Sequence, residues 1–343
     1  MSLKGEFEKI LRDVFKLDSK WVEWYMNNVY DDENIRTSYF ENRLASVLFV
    51  SPYNLDFNGK EVRCDYISCV ATFPNQRGKG FMKSLMHDTL LSLYNQNVPF
   101  ACLIPASRPL YFIYDRMGFA TVFYAEEKRY TALHKFEKGN FKRISPDYAV
   151  YSKLEKNRKG ALLHTKEQFD FAVKDVEISN GIVVAVEDEE GNSAVAFAEC
   201  NDEIKVIDIL SSNADAYEAA LCLIRDNFGE KPIIVWDVPS NDIISLRARG
   251  MIRIVNAETA LSALADSNHG INITVKVHDS FIPENNGIYR IFKGKCRKIE
   301  QSSDKIDLDV SISVLSKILF STSKIGELFE LPTHRPFISL MLD

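Results

Sequence analysis

The stretch Val70-Ala71-Thr72-Phe73-Pro74-Asn75-Gln76-Arg77-Gly78-Lys79-Gly80-Phe81-Met82 carries the most suggestive chemistry in the sequence. An apolar run from Tyr66 to Phe73 leads into it, and Leu85, Met86, Leu90, Leu91 and Leu93 follow at the spacing of one helix face. That order predicts a strand, a tight turn and a helix N-terminus. Such a turn offers free backbone N–H groups and the positive end of a helix dipole, which suit a pyrophosphate. Gly78 and Gly80 allow close approach because they lack a Cβ, and Arg77 and Lys79 add positive charge. The pattern is neither a dinucleotide fingerprint nor a P-loop, and similar turns in α/β proteins often bind nothing. Two other groups attract attention. Trp21, Trp24 and Tyr25 either line a substrate pocket or pack on a sheet, and Tyr111 and Tyr114 place two phenols on one short segment. The six histidines are scattered with no pair at ligand spacing, so no metal site is expected.

These side chains need elements to hold them. Phe7, Ile10, Leu11, Val14 and Phe15, then Trp21, Val22, Trp24 and Tyr25, recur at helical spacing. They predict two short helices broken near Leu17-Asp18-Ser19, with Asp18 or Ser19 as N-cap. Residues 36–40, 44–52 and 61–73 read as an antiparallel meander, with turn chemistry at Glu41-Asn42 and Asn58-Gly59. A helix over 81–94, a strand over 100–104, a short helix over 110–116 stopped by Gly118, and a strand over 119–124 complete this part. Farther on, polar helical sequence from Tyr148 precedes a hairpin of residues 182–186 and 194–198 around the acidic turn 187–192. A strand over 204–210, a helix over 217–228 and a strand over 232–238 follow. The last part has strands over 271–277, 288–292 and 306–310, and helices over 311–320 and 325–329.

Arg77, Gly80 and Met82 resemble the Arg-x-x-Gly-x-Gly/Ala acetyl-CoA loop of the GNAT N-acetyltransferases, with Met82 where Gly or Ala is usual. The segment from Phe112 to Phe119 resembles the helix that carries a Tyr at the thioester in that superfamily. Together with Trp24-Tyr25 and the run from Tyr66 to Pro74, these motifs look like the enhanced intracellular survival (Eis) branch. That resemblance implies an α+β protein with tandem GNAT-like domains, built of mixed, mostly antiparallel sheets with helices on both faces, plus a sterol-carrier-protein-like α/β domain. The expected division is 1–143 for the catalytic GNAT domain, 144–266 for a degenerate GNAT-like domain and 267–343 for the sterol-carrier-like domain. The second domain has Ser211-Ser212-Asn213-Ala214-Asp215 where the loop would stand, so it is not expected to bind CoA in the usual way. Gly250 to Ala257, with Leu261, resembles the join into the third domain.

The resemblance also implies roles. Direct acetyl transfer from acetyl-CoA to a primary amine in a ternary complex is expected, with an aminoglycoside-like molecule, a polyamine or a lysine side chain as acceptor. The backbone of Val70, Ala71 and Thr72 would pair with the pantetheine and help polarise the thioester, and Arg77, Gly78, Lys79, Gly80, Phe81 and Met82 would hold the phosphates. Tyr114 would protonate the leaving thiolate, with Tyr111 as a packing neighbour. In the Eis branch a C-terminal carboxylate serves as the base toward the amine, a role that here falls to Asp343 through either of its carboxylates. The readings from other classes are a non-catalytic acyl-CoA sensor and a lipid carrier built on the third domain.

Composition sets the outer bounds. A chain of 343 residues, 46% hydrophobic and 26% charged, can bury two or three cores. A formal net charge of −6 supplies no strong basic field for nucleic acid. Cys64, Cys69, Cys102, Cys200, Cys222 and Cys296 form no C-x-x-C pair and read as reduced thiols. With no apolar signal core and no apolar run long enough to span a bilayer, a cytoplasmic, membrane-free protein is expected, possible as a homo-oligomer.

Overall fold

The computed structural model describes residues 2–239, 246–300, 305–320 and 336–342. Two compact units divide the chain, one formed by Met1–Phe123 with Arg249–Pro336, the other by Tyr124–Ala248 with Phe337–Leu342.

The first unit opens with helices α1 (Leu3–Asp13) and α2 (Ser19–Asn28). Asp18 caps α2, its carboxylate accepting from the backbone N–H groups of Lys20 and Trp21 at 2.8 and 3.2 Å. Strands β1 (Ile35–Phe40), β2 (Arg43–Phe57) and β3 (Lys60–Thr72) form the expected meander. Glu41 and Asn42 (φ 49° and 60°), then Asn58 and Gly59 (φ 55° and 82°), take the left-handed turns whose twist matches antiparallel ribbons. Strand β2 runs five residues past its expected end, because Tyr53, Leu55 and Phe57 keep alternating into the core. Helix α3 (Phe81–Asn95), strand β4 (Phe100–Leu103), helix α4 (Arg108–Asp115) and strand β5 (Ala120–Tyr130) follow. Leu85, Met86, Leu90 and Leu93 of α3 pack with Leu48, Val50, Ile67, Ala101, Tyr114 and Met117 in one cluster, so the helix spacing seen in sequence is the spacing of its buried face.

The second unit receives β5 from Tyr124 onward and adds β6 (Lys142–Ile144), α5 (Tyr148–Glu155), β7 (Leu162–Leu163), α6 (Lys166–Ile178), β8 (Ile182–Glu187), β9 (Ser193–Cys200), β10 (Ile204–Ser211), α7 (Ala214–Phe228) and β11 (Ile233–Asp237). Its strand order is β5-β11-β10-β9-β8-β6, antiparallel in each pairing except β10 with β11. Val184 and Ala196 face α7 in one apolar cluster, while Val183 and Phe197 join Tyr151 and Phe169 in another. Both faces of the hairpin are therefore covered, which explains its unbroken apolar runs. The segment after Pro336 belongs here too: Phe337 bridges Ala161, the Ser339 hydroxyl donates to the Asp208 carboxylate at 2.7 Å, and Leu340 packs with Tyr151 and Phe169.

Strand β12 (Leu246–Ile254) carries the chain back, and its end pairs antiparallel with β4, giving the first unit the order β1-β2-β3-β4-β12. Helix α8 (Ala257–Ser267), strands β13 (Ile273–His278), β14 (Gly287–Phe292), β15 (Lys295–Ile299) and β16 (Leu308–Ser311), and helix α9 (Ile312–Leu319) follow. The small sheet runs β15-β14-β13-β16, with β13 and β16 parallel. Strand β15, Lys-Cys-Arg-Lys-Ile, was not foreseen, because an edge strand this charged lacks an apolar alternation. The helix expected over 325–329 lies outside the described residues.

Candidate functional site

A cleft of about 720 Å³ opens in the first unit, lined by Val14 and Phe15, by Val70 to Thr72 of β3, by the turn and start of α3, and by Leu110, Ile113, Tyr114, Arg116 and Met117 on and after α4. Three features of the backbone make it.

The first is a bulge in β3. Val47 of β2 faces Ala71, yet Phe49 faces Ser68, so β3 contains one extra residue. Cys69 absorbs it with φ 50°, in the left-handed region. The second is the parting of β3 and β4. Their parallel pairing covers Cys64 to Tyr66 against Phe100 to Cys102, while β3 runs on to Thr72. The backbone of Val70, Ala71 and Thr72 thus lines the cleft along an edge that β4 does not cover. The Ala71 carbonyl is held by the Ser46 hydroxyl at 2.8 Å, and that of Thr72 by Arg77 Nε at 3.2 Å, which fixes this edge in place.

The third feature is the entry into α3. Gly80 is the N-cap with φ 87° and Gly78 has φ 77°, and no side chain caps the helix. A Cβ at either glycine would meet nothing within 4 Å; the glycines serve the backbone conformation and leave open space above it. The first turn of α3 carries no acidic residue. Its amide groups therefore face the cleft without a competing carboxylate, the arrangement that favours a bound anion. Arg77, Lys83 and Arg116 line the same cleft, and no Asp or Glu is among its described lining residues.

Most of the expected residues converge here: Val70, Ala71, Thr72, Arg77, Gly78, Gly80, Phe81, Met82 and Tyr114 all line the cleft. Lys79 does not; its ammonium donates to Gln76 Oε1 at 2.9 Å and lies 5.2 Å from the Phe40 ring centroid. Tyr114 is 5% exposed, with Phe119 edge-on to its ring at 5.9 Å. Burial pushes its phenol up to about 12, so it stays protonated at neutral pH. Tyr111 packs against the core cluster and is not among the lining residues. Trp21, Trp24 and Tyr25 also stand apart from the cleft: Trp21 stacks on Tyr25 at 4.9 Å and meets Trp24 edge-on at 6.2 Å, and Tyr25 packs on Phe49. Asp343 lies outside the described residues. Sequence reasoning missed Val14, Phe15, Gln76, Lys83, Leu110, Ile113, Arg116 and Met117 as lining residues.

The matching turn of the second unit has the opposite chemistry. Asn213 caps α7 by accepting from Ala216 N at 2.8 Å, Asp215 sits in the first turn, and the adjoining cavity is lined by Glu137, Asp188, Glu190 and Glu218. An anion is disfavoured there by the cap and by charge. Among the described residues no group of three or more His, Cys, Asp and Glu could hold a metal ion, and no helix is long and apolar enough to cross a membrane.

Two family models match separate parts of the chain. The acetyltransferase (GNAT) domain family matches residues 5–122, and the sterol carrier protein domain family matches residues 257–331. No curated protein sequence matches the chain. Among solved structures, a probable N-acyltransferase from Enterococcus faecalis superposes with a TM-score of 0.79 at 16% identity, covering 98% of this chain and 96% of that one. A GCN5-related N-acetyltransferase from Anabaena variabilis superposes at 0.75 with 17% identity, covering 97% and 96%. Eis1 from Mycobacterium abscessus superposes at 0.74 with 13% identity, covering 98% of both chains. At these identities the likeness is one of fold.

Proposed function

We propose that this chain, a GNAT-family acetyltransferase of Eis-like domain order with a sterol-carrier-like third domain, moves the acetyl group of acetyl-CoA directly to a primary amine. GNAT domains use acetyl-CoA in general, and the observation that supports its use here is the start of α3. Two positive-φ glycines lead into a helix end with neither side-chain cap nor acidic residue, open to a cleft lined by Arg77, Lys83 and Arg116. The pyrophosphate of CoA would sit on those amides, and the pantetheine would run along Val70 to Thr72 like an added strand. The acyl carbon would then lie within the reach of Tyr114 on the facing wall.

In the reaction the amine lone pair forms the new C–N bond as the C–S bond breaks, the electron pair leaving on sulfur. Tyr114 gives its proton to that thiolate, and the attacking nitrogen loses one to a carboxylate of Asp343, the proposed base. Burial pushes this phenol up to about 12, so it carries its proton when the thiolate forms. The amine is proposed to be an aminoglycoside-like molecule, a polyamine or a lysine side chain. We keep 1–143, 144–266 and 267–343 as the proposed limits of the three functional parts.

The test is a panel of these amines with acetyl-CoA, followed by thiol release and by mass of the product. Amine-dependent thiol release with acetylated product is expected. Tight acetyl-CoA binding without turnover on any amine would make the protein a sensor instead.

A further inference from the structure

Strand β12 ends Gly-Met-Ile-Arg-Ile and runs on into Val255, and Met251, Ile252, Ile254 and Val255 are all buried. Arg253 in their midst is 0% exposed, a charge inside the core of the first unit. Its guanidinium donates through Nη2 to the Asp279 carboxylate and through Nη1 to the carbonyl of Met117, and it lies over the Phe281 ring at 5.7 Å. Asp279 is fixed in turn. It accepts from the amides of Phe281 and Ile282 at 2.9 and 3.0 Å and from Asn285 Nδ2 at 3.0 Å. Asn285 ties this knot to the start of α8, donating to the Val255 carbonyl and accepting from Ala257 N, both at 2.8 Å.

Stability alone does not account for such a pair, since apolar residues of equal volume hold a core as well or better. What the pair does locally is bind one particular carbonyl. The amides of Met117 and Phe119 both donate to the Tyr114 carbonyl, at 2.9 and 3.1 Å, so residues 114–119 form one closed turn at the end of α4. Arg253 grips that turn from the core side, with its positive charge at a helix C-terminus where it is favoured. Gly118 makes room: it has φ 84°, and a Cβ there would overlap the Arg253 guanidinium. A helix of eight residues has little hold on its own last turn without such an anchor.

We propose that Arg253, held by Asp279, is a positioning residue that sets Tyr114 in the cleft; this rests on the reading of Tyr114 as proton donor. The experiment is a set of double-mutant cycles on the full chain. Arg253→Lys and Asp279→Asn are each made alone and with Tyr114→Phe, and kcat and the KM for acetyl-CoA are measured with thermal melts alongside. Each single positioning variant is expected to lower kcat by about ten- to a hundred-fold, the scale of a misplaced reacting group, with KM unchanged. In the Tyr114→Phe background neither should lower kcat further. Asp279→Asn leaves Gly118 and the turn 114–119 untouched, so it carries the same test if Arg253→Lys does not fold. Equal fold-losses of kcat in both backgrounds overturn the positioning role while leaving Tyr114 as donor. An unchanged kcat for Tyr114→Phe alone overturns both.

Discussion

Tyr114 differs from an ordinary tyrosine through burial, and that difference can be measured apart from catalysis. Tyr114→Phe is expected to lower kcat by about ten- to a thousand-fold while calorimetry shows unchanged acetyl-CoA affinity, because a general acid acts on the leaving group and not on the nucleotide end. A stability effect follows with a definite sign. The folded phenol titrates near about 12 and an unfolded one near ~10. The folded state therefore holds this proton more tightly, so the contribution is complete below ~10 and is lost as the pH rises toward the folded value. Between pH ~8 and ~11 the loss should be about 1.4 kcal/mol, and Tyr114→Phe should remove that share of the alkaline sensitivity in urea melts at the two pH values. Identical pH slopes for the two proteins would count against a buried, perturbed phenol. Tyr114 was legible because its neighbours up to Phe119 form a motif with local order. Arg253 was not, since nothing in Gly-Met-Ile-Arg-Ile-Val says that the arginine points inward; its partner Asp279 lies 26 residues on.

At the level of elements, the turn into α3 and the bulge in β3 do separate jobs. The double change Arg77→Ala with Gly80→Val is expected to weaken acetyl-CoA binding strongly while circular dichroism stays native, because it removes one cation and forces a branched side chain into φ 87°. Unchanged affinity by calorimetry would remove this turn from the site. At the bulge the expected outcome is opposite. Cys69 occupies φ 50° without being glycine, at a cost of about 1 kcal/mol. Cys69→Gly relieves that strain but loosens the unfolded chain by a similar amount, so stability should change by less than about 1 kcal/mol and acetyl-CoA affinity should stay intact, since the extra residue and hence the β2–β3 register are kept. Strand, turn and helix could all be read from spacing because each buries a regular face. The bulge could not: an inserted residue breaks the period of two that reveals a strand, and Ile67-Ser68-Cys69-Val70 reads as alternation either way. The aromatic group Trp21, Trp24 and Tyr25 shows the limit from the other side, because composition cannot tell a ring that lines a cavity from one stacked on its neighbour.

On the scale of the molecule, the third domain is part of the first unit's core. Phe320 packs on Phe57 and Phe100 at 5.6 and 5.4 Å, and buried Arg253 pairs with Asp279. Asp279→Ala should therefore cost about 3–5 kcal/mol, the price of a buried charge left alone, seen as one shifted transition in denaturant. A separate early transition with residues 1–123 still folded would show that the two parts stand independently. The placement of the segment after Pro336 has a further consequence, one of time. Residues 337–342 finish the second unit, yet 249–336 are synthesised between Ala248 and Phe337. At about 5–20 residues per second on a ribosome, the second unit waits roughly 4–18 s for its last strand-like segment. During that interval the seat of Phe337 beside Arg158, and the Asp208 oxygen that later meets Ser339, face water or a chaperone. Folding order is thus written into the connectivity: the first unit can gather its late-made residues before the second can close, although the second begins earlier in the chain.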